Sequence, residues 1–254
     1  MALYDFLFRV GAKLGLHGKM DAHPYTIDPS GVAALAERAD GELARLFFAH
    51  EGRQVHKWTH YFQHYERHFA PYRGTPVKML EIGVFRGGSL ELWRKYFGPE
   101  AVLYGVDIEP GCADLVSPPN QVRIGSQDDP AFLRSVVAEM GGLDIVLDDG
   151  SHIGRHQTAS FAALFPLLRD GGLYVIEDLH SSYWPGALEG GYRRPGTAIE
   201  LVKTLIDDMH ARFHRKGVRS AGQIVGIHIY DSIVFIEKGP AATAGHVGVP
   251  QARR

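Results

Sequence analysis

Cysteine is all but absent, with Cys112 the single one in 254 residues. No internal disulfide can form, and nothing points to an oxidising compartment. Long hydrophobic runs are missing as well, since none approaches the roughly 20 apolar residues that span a bilayer. The opening MALYDFLFRV carries an acid at Asp5 and lacks the basic head and long apolar stretch of a secretory signal. It reads as an amphipathic helix of a cytoplasmic protein. Its apolar residues Leu3, Phe6, Leu7 and Val10 suit a subunit contact, so a homo-oligomer is expected. Neither charge sign dominates: 27 basic residues face 29 acidic ones. That balance leaves no electrostatic footprint for nucleic acid and no polybasic membrane anchor, so the expected partner is a small molecule.

A hydrophobic share of 45% in a chain of this length suits one sizeable α/β core with a helical extension. Residues 1–70 have helical patterning without strand signals. Ser30 is a candidate N-cap for one helix running through Ala33, Leu35, Leu43, Leu46 and Phe47. From Val77 onward short apolar runs alternate with helical segments. The runs are 77–82, 102–106, 122–124, 143–147 and 173–176, and the helices between them include 89–97, 130–140 and 157–168. This is the pattern of right-handed βαβ units building a parallel sheet. Runs 224–229 and 233–236 are joined only by Tyr230, Asp231 and Ser232, a link so short that it permits only an antiparallel hairpin. The expected division is a helical extension over 1–70, a catalytic domain over 71–240, and a flexible tail over 241–254 rich in Ala, Gly, Pro and Arg.

The first strand leads into Glu81-Ile82-Gly83-Val84-Phe85-Arg86-Gly87-Gly88-Ser89. Glycines Gly83 and Gly87 let the backbone turn sharply and approach a ligand. The spacing is not G-x-G-x-x-G, and Glu81 stands where a pyrophosphate site would favour an apolar residue. A carboxylate there repels phosphate but suits the ammonium and sulfonium charges of S-adenosylmethionine. Asp107, with Ile108 beside it, ends the second strand, where an acid can accept both ribose hydroxyls. Gln127 or Asp128, in the loop after the third strand, could bind the adenine amine. Glu81, Gly83, Gly87, Ser89, Asp107, Ile108, Gln127 and Asp128 thus form an ordered cofactor set, with a nicotinamide-dependent oxidoreductase as the rival disfavoured by Glu81.

Two acidic clusters follow apolar strands, Leu147-Asp148-Asp149-Gly150-Ser151-His152 and Ile176-Glu177-Asp178-Leu179-His180. Neighbouring strand ends of a doubly wound sheet open onto a common crevice. Carboxylates Asp149, Glu177 and Asp178 meeting there would resist joint ionisation unless a cation lay between them, which points to a hard metal such as Mg²⁺. His152 is placed to act as a base beside it, and Asp148 either contacts the cofactor or caps the turn. His180 faces either the acceptor or the core. Lys57, His60, Tyr61 and Tyr65 read as one helix, with the face bearing 57, 61 and 65 either closing over the cofactor or forming a buried aromatic stripe. Residues 183–197, with Tyr183, Trp184, Tyr192, Arg193 and Arg194, read as a mobile acceptor lid or a surface loop.

These residues resemble the metal-dependent sugar O-methyltransferases, in particular macrolide-sugar enzymes of mycinamicin biosynthesis and related bacterial polysaccharide-sugar methyltransferases. The resemblance covers about 56–238 and is carried by LDDGSH at 147–152, IEDLHSSY at 176–183, and HKWTHYFQHYE at 56–66, which looks like the family's helix before the first strand. It implies Mg²⁺ on Asp149, Glu177 and Asp178, with Asp149 and His152 as the catalytic pair and His152 as general base. The fold it implies is a Rossmann-like class I methyltransferase sheet, mostly parallel with a C-terminal antiparallel hairpin, behind an N-terminal helical extension. The implied reaction is S-adenosylmethionine- and Mg²⁺-dependent methylation of a vicinal-diol hydroxyl on a glycosylated acceptor. A catechol-type phenol is the alternative acceptor for the same site.

Overall fold

A computed structural model describes residues 29–216, 223–240 and 246–248. The expected amphipathic segment with Leu3, Phe6, Leu7 and Val10 lies outside the described residues, as does most of the expected tail. Among the described residues no helix is long and apolar enough to cross a membrane.

Seven strands form one sheet: β1 (Lys78–Ile82), β2 (Val102–Asp107), β3 (Gln121–Ile124), β4 (Ile145–Asp148), β5 (Leu173–Ile176), β6 (Ile224–Tyr230) and β7 (Ile233–Lys238). Their spatial order is β3-β2-β1-β4-β5-β7-β6. Strands β1 to β5 pair in parallel, whereas β7 runs antiparallel to both β5 and β6. The expected parallel sheet with a terminal hairpin is therefore what forms. Because β1, β4 and β5 are covered on both faces, their sequences are mostly apolar rather than alternating, with Glu81 the buried exception within β1. Successive residues still point to opposite faces. Met79, Ile145, Leu147 and Val175 pack on one side with Trp93 and Phe97 of α4 (Gly88–Phe97). Leu80, Ile82, Val146 and Ile176 pack on the other, with Leu133 and Val137 of α5 (Pro130–Met140), Leu164 of α6 (Gly154–Leu164) and Val202 of α7 (Ala198–Met209).

The N-terminal helices depart from expectation. Instead of one helix from Ser30 to Phe47 there are two, α1 (Pro29–Glu37) and α2 (Glu42–Phe48), and Ser30 lies inside α1 rather than capping it. Gly41 separates them at φ +86°, a conformation that suits glycine alone. The start of α2 is capped from far away in sequence, Glu66 Oε2 accepting from the Leu43 amide at 2.9 Å. Leu43 and Ala44 share a core with α3 (Phe62–Phe69), β1 and β4, so the extension and the catalytic sheet are packed as one unit.

Lys57 also departs from expectation: it is not helical. Residues 51–58 run as an irregular strap, and the helical turn begins only at Thr59–Tyr61. The strap crosses the start of α4 so closely that a Cβ on Gly88 would lie 2.2 Å from the Arg53 carbonyl oxygen.

The order of connections reverses between β1 and β4, which makes their carboxyl ends the switch point where ligands bind in open α/β sheets. The two loops there touch through backbone. Asp149 N–H donates to the Ile82 carbonyl at 2.9 Å, and a Cβ on Gly83, which stands at φ +96°, would fall 2.1 Å from the Asp149 carbonyl oxygen. Gly83→Ala is expected to cost about 3 kcal/mol, combining left-handed strain with a backbone clash. Urea denaturation followed by circular dichroism reads this directly, and a loss below about 1 kcal/mol would mean that the loops part at little cost.

Candidate active site

Two adjacent strand ends deliver the acids. Asp148 ends β4 opposite Ile176 of β5, and the Glu177 amide donates to the Asp148 carbonyl at 3.0 Å, prolonging the pairing by one residue. Asp149, His152 and Asp178 then converge, one ligand atom from each lying within 4.8 Å of the others. His152 Nε2 stands 3.9 Å from Asp149 Oδ1 and 3.7 Å from Asp178 Oδ2. His152 and Asp178 both have left-handed backbones, φ +56° and +54°. For side chains with a Cβ this costs on the order of 1 kcal/mol or more each, and such strain gathers where function demands a particular aim.

Glu177 is turned more deeply inward, 2% exposed. Lys57 explains how so many carboxylates coexist. Its ammonium is buried, 2.5 Å from Asp149 Oδ2, 2.7 Å from Glu177 Oε1 and 4.0 Å from Glu81 Oε1. Burial alone would lower the Lys57 pKa, but Asp149, Glu177 and Glu81 together hold it well above the ordinary lysine value. Glu177 is pushed well up by burial and by Asp149 despite the lysine. Tyr65, expected at the cofactor, instead donates to Glu177 Oε1 from a fully buried position. The Tyr61 hydroxyl lies 2.9 Å from Asp178 Oδ1 and accepts from the Asp178 amide at 3.2 Å. The face bearing Tyr61 and Tyr65 thus closes over the acids. The carboxylates, already requiring positive charge among them, are oxygen donors that fit Mg²⁺, and the His152 imidazole stands beside them.

No protein-family model matches the chain. It is 43% identical over 214 residues to demethylmacrocin O-methyltransferase of Streptomyces fradiae, a match covering 76% of this chain and 52% of that enzyme. Mycinamicin VI 2''-O-methyltransferase of Micromonospora griseorubida is 42% identical over 218 residues, covering 78% and 52%. The solved MycE methyltransferase with Mg, SAH and mycinamycin VI superposes with a TM-score of 0.66 at 38% identity, covering 82% of this chain and 53% of that one. Over the matched segment, the chain is similar in sequence and fold to these O-methyltransferases. It spans about half the length of the relatives it matches.

The glycine loop is tied together from inside. Glu81 is fully buried, accepting from Ser89 Oγ at 2.8 Å and Trp93 Nε1 at 3.3 Å. Burial pushes its carboxyl up to about 7, against the pull of Lys57. Asp107 Oδ2 accepts the Val84 and Phe85 amides at 2.8 and 3.1 Å, and its Oδ1 accepts the Glu109 amide, so the second-strand acid shapes the glycine loop directly. Ile108 beside it is 63% exposed, open to a ligand ring. Gly87 starts α4 at φ +81°.

Gln127 and Asp148 stand apart from the other cofactor candidates. The Gln127 amide donates to Asp148 Oδ1 at 2.6 Å and accepts from the Ser151 amide at 3.0 Å, which commits both of its ends. Asp148 is fully buried and also accepts from Ser160 at 2.8 Å and Tyr174 at 3.1 Å. These two side chains brace the loop carrying Asp149 and His152 from behind. Asp128 remains at the surface, 3.4 Å from His156 Nε2.

Lys57 is the residue whose role sequence patterning missed. An assumed helical face concealed that an extended strap carries it into the crevice. Beyond the acids, Trp58, His180 and Trp184 form an aromatic wall, with His180 centred 5.5 Å from Trp58 and 4.7 Å from Trp184. His180 Nδ1 is paired with Ser232 Oγ. Residues 183–197 are folded on themselves, the Gly190 and Gly191 amides donating to the Trp184 and Ser182 carbonyls at 2.8 Å, with Arg155 paired to Glu189 outside.

Removing the ammonium leaves buried acids uncompensated. Lys57→Met is therefore expected to destabilise by about 3–5 kcal/mol at pH 7.5 in chelator, measured by urea denaturation, while a change under 1 kcal/mol would deny the lysine its compensating role. Glu81 has a raised folded-state pKa, so its contribution is fully present below pH 4.5 and is lost as the pH climbs to about 7. The loss amounts to about 3 kcal/mol. Glu81→Gln should flatten the stability profile over that window, and a slope identical to wild type would contradict the assignment.

Proposed function

We propose that this chain methylates one hydroxyl of a vicinal diol on a sugar of a glycosylated natural product or polysaccharide, taking the methyl group from S-adenosylmethionine with Mg²⁺ as cofactor. The observation carrying this reading is the convergence of Asp149, His152 and Asp178 at the switch point, beside a glycine loop built on a buried glutamate. Relatives named as O-methyltransferases of rhamnosyl tetracenomycin-C and L-olivosyl-oleandolide support it, as does MycE with Mg and SAH bound. Asp149, Glu177 and Asp178 are the residues that would hold Mg²⁺, which when bound would supply Lewis acidity to the acceptor hydroxyls.

The remaining work falls to the chain's own residues. His152 takes the hydroxyl proton at Nε2, the ring nitrogen facing the acids. That nitrogen lies 3.9 Å from Asp149 Oδ1 and 3.7 Å from Asp178 Oδ2, beside the carboxylates that would hold the metal. The general-base contribution of such a group is about 10²- to 10⁴-fold. Tyr61, Tyr65 and Lys57 are positioning residues that fix the acids. Glu81 holds the glycine loop in shape from inside through Ser89 and Trp93, and Asp107 with Ile108 frames the cofactor's ribose and base. Trp58, His180 and Trp184 give the acceptor an apolar face on which sugar C–H groups can stack.

The test is product formation from S-adenosylmethionine and a panel of deoxysugar-bearing polyketides, mycinamicin VI among them, with catechols as comparators. Wild type is expected to methylate a glycoside only with Mg²⁺ present. His152→Ala should lower kcat by about 10²-fold or more with S-adenosylmethionine affinity unchanged by calorimetry. Unaltered turnover in His152→Ala would remove it as the base; methylation of catechols alone would move the acceptor class.

A further inference from the structure

A second cluster of ligating side chains lies at the opposite end of the sheet from the crevice. Glu237 of β7 pairs with Leu173 at the amino end of β5, whereas the active-site acids follow its carboxyl end. Beside Glu237 stand His228 of the edge strand β6 and His68 of α3. One ligand atom from each of the three lies within 4.8 Å of the other two.

We propose that His68, His228 and Glu237 form a metal site for a borderline transition cation such as Zn²⁺, separate from the carboxylate centre and occupied independently of it. The site is assembled from three distant parts of the chain. His228 Nε2 is 3.0 Å from Glu237 Oε1 across the hairpin. His68 is 8% exposed, and its ring is clamped by stacking on Phe235 at 4.2 Å and 19°. The Tyr230 hydroxyl lies 3.0 Å from His68 Nε2, the kind of outer contact that fixes ring orientation at metal-binding histidines. Room for the carboxylate depends on Gly226, where a Cβ would fall 2.8 Å from Glu237 Oε2.

The donor chemistry separates the two centres. Two imidazole nitrogens and one carboxylate are the ligand set of open tetrahedral zinc sites, whereas Mg²⁺ favours oxygen donors. His68 and Glu237 also line a groove of about 690 Å³, which gives a fourth position access to water or an outside ligand. Arg169 and Lys238, which share that groove, are engaged elsewhere. Arg169 pairs with Asp144, and Lys238 donates to the Pro166 and Leu168 carbonyls at 2.7 and 2.6 Å. A cation here would tie α3 to the β6–β7 hairpin, so binding should raise the melting temperature by mass action.

The deciding experiment is Co²⁺ titration of untagged, metal-stripped protein followed by visible d–d absorption, then by displacement with Zn²⁺. The expected result is about one equivalent with tetrahedral-type absorption, persisting in millimolar Mg²⁺ and in the double variant Asp149→Asn/Asp178→Asn. His228→Gln and Glu237→Gln should each weaken binding by at least about tenfold and abolish the Zn²⁺-dependent rise in melting temperature. His228 and Glu237 are partly exposed, and the use of both variants guards against one that misfolds. No absorption in wild type would overturn the proposal. So would absorption lost in the Asp149/Asp178 variant but kept in His228→Gln and Glu237→Gln, which would place the cobalt among the active-site acids.

Discussion

One buried ammonium makes the active-site end of this molecule possible. Glu81, Asp149 and Glu177 arrive from three different strand ends, and all lie within 4.0 Å of Lys57 Nζ. Without that charge, their mutual repulsion in a poorly solvated place would oppose the approach of β1, β4 and β5 at their carboxyl ends. The strap that brings Lys57 in is held in turn by the glycine at the start of α4. Electrostatic compensation and backbone clearance thus work together: the strap reaches the acids because Gly88 lets it pass, and it stays because the acids need it.

The scaffold and the site divide their labour by distance from the sheet. Strand ends supply the acids, whose positions follow from strand pairing. Loops supply the aromatic wall beyond the acids, with Trp58 on the strap and His180 and Trp184 beyond β5. Between them lies a brace of Gln127, Asp148, Ser160 and Tyr174, which ties the Asp149 loop to α6 and β5. Its members are buried and mutually hydrogen-bonded, so the polar network stiffens the loop rather than presenting chemistry to a ligand.

Much of this was legible in the sequence. Short apolar-rich runs located the seven strands, most clearly β4 and β5, which are buried throughout. The short Tyr230–Ser232 link announced the hairpin; of the carboxylates expected to converge, the structure gathers Asp149 and Asp178 with His152, while Glu177 turns inward to Lys57. What stayed hidden depended on partners remote in the chain. The break at Gly41 is stabilised by Glu66, a cap that no local pattern reveals. Residues 57, 61 and 65 are four apart and suggest one helical face, yet Trp58 stands at ψ 130° and Lys57 precedes the helical turn. Gln127 and Asp148 have the residue types of ligand contacts, and only the structure shows that they satisfy each other.

The lysine's partners lie 92 and 120 residues further along the chain. Contacts of such separation carry a loop-closure cost before they bring any gain. During synthesis the strap emerges long before β4 and β5 exist, and Lys57 has no acid of that pair to meet until most of the chain has been made. Completion of the charge cluster around Lys57 therefore waits on the strands that carry Asp149 and Glu177. The order is built into the chemistry: a chain whose sheet is incomplete cannot bury the lysine, and so cannot present a finished active site.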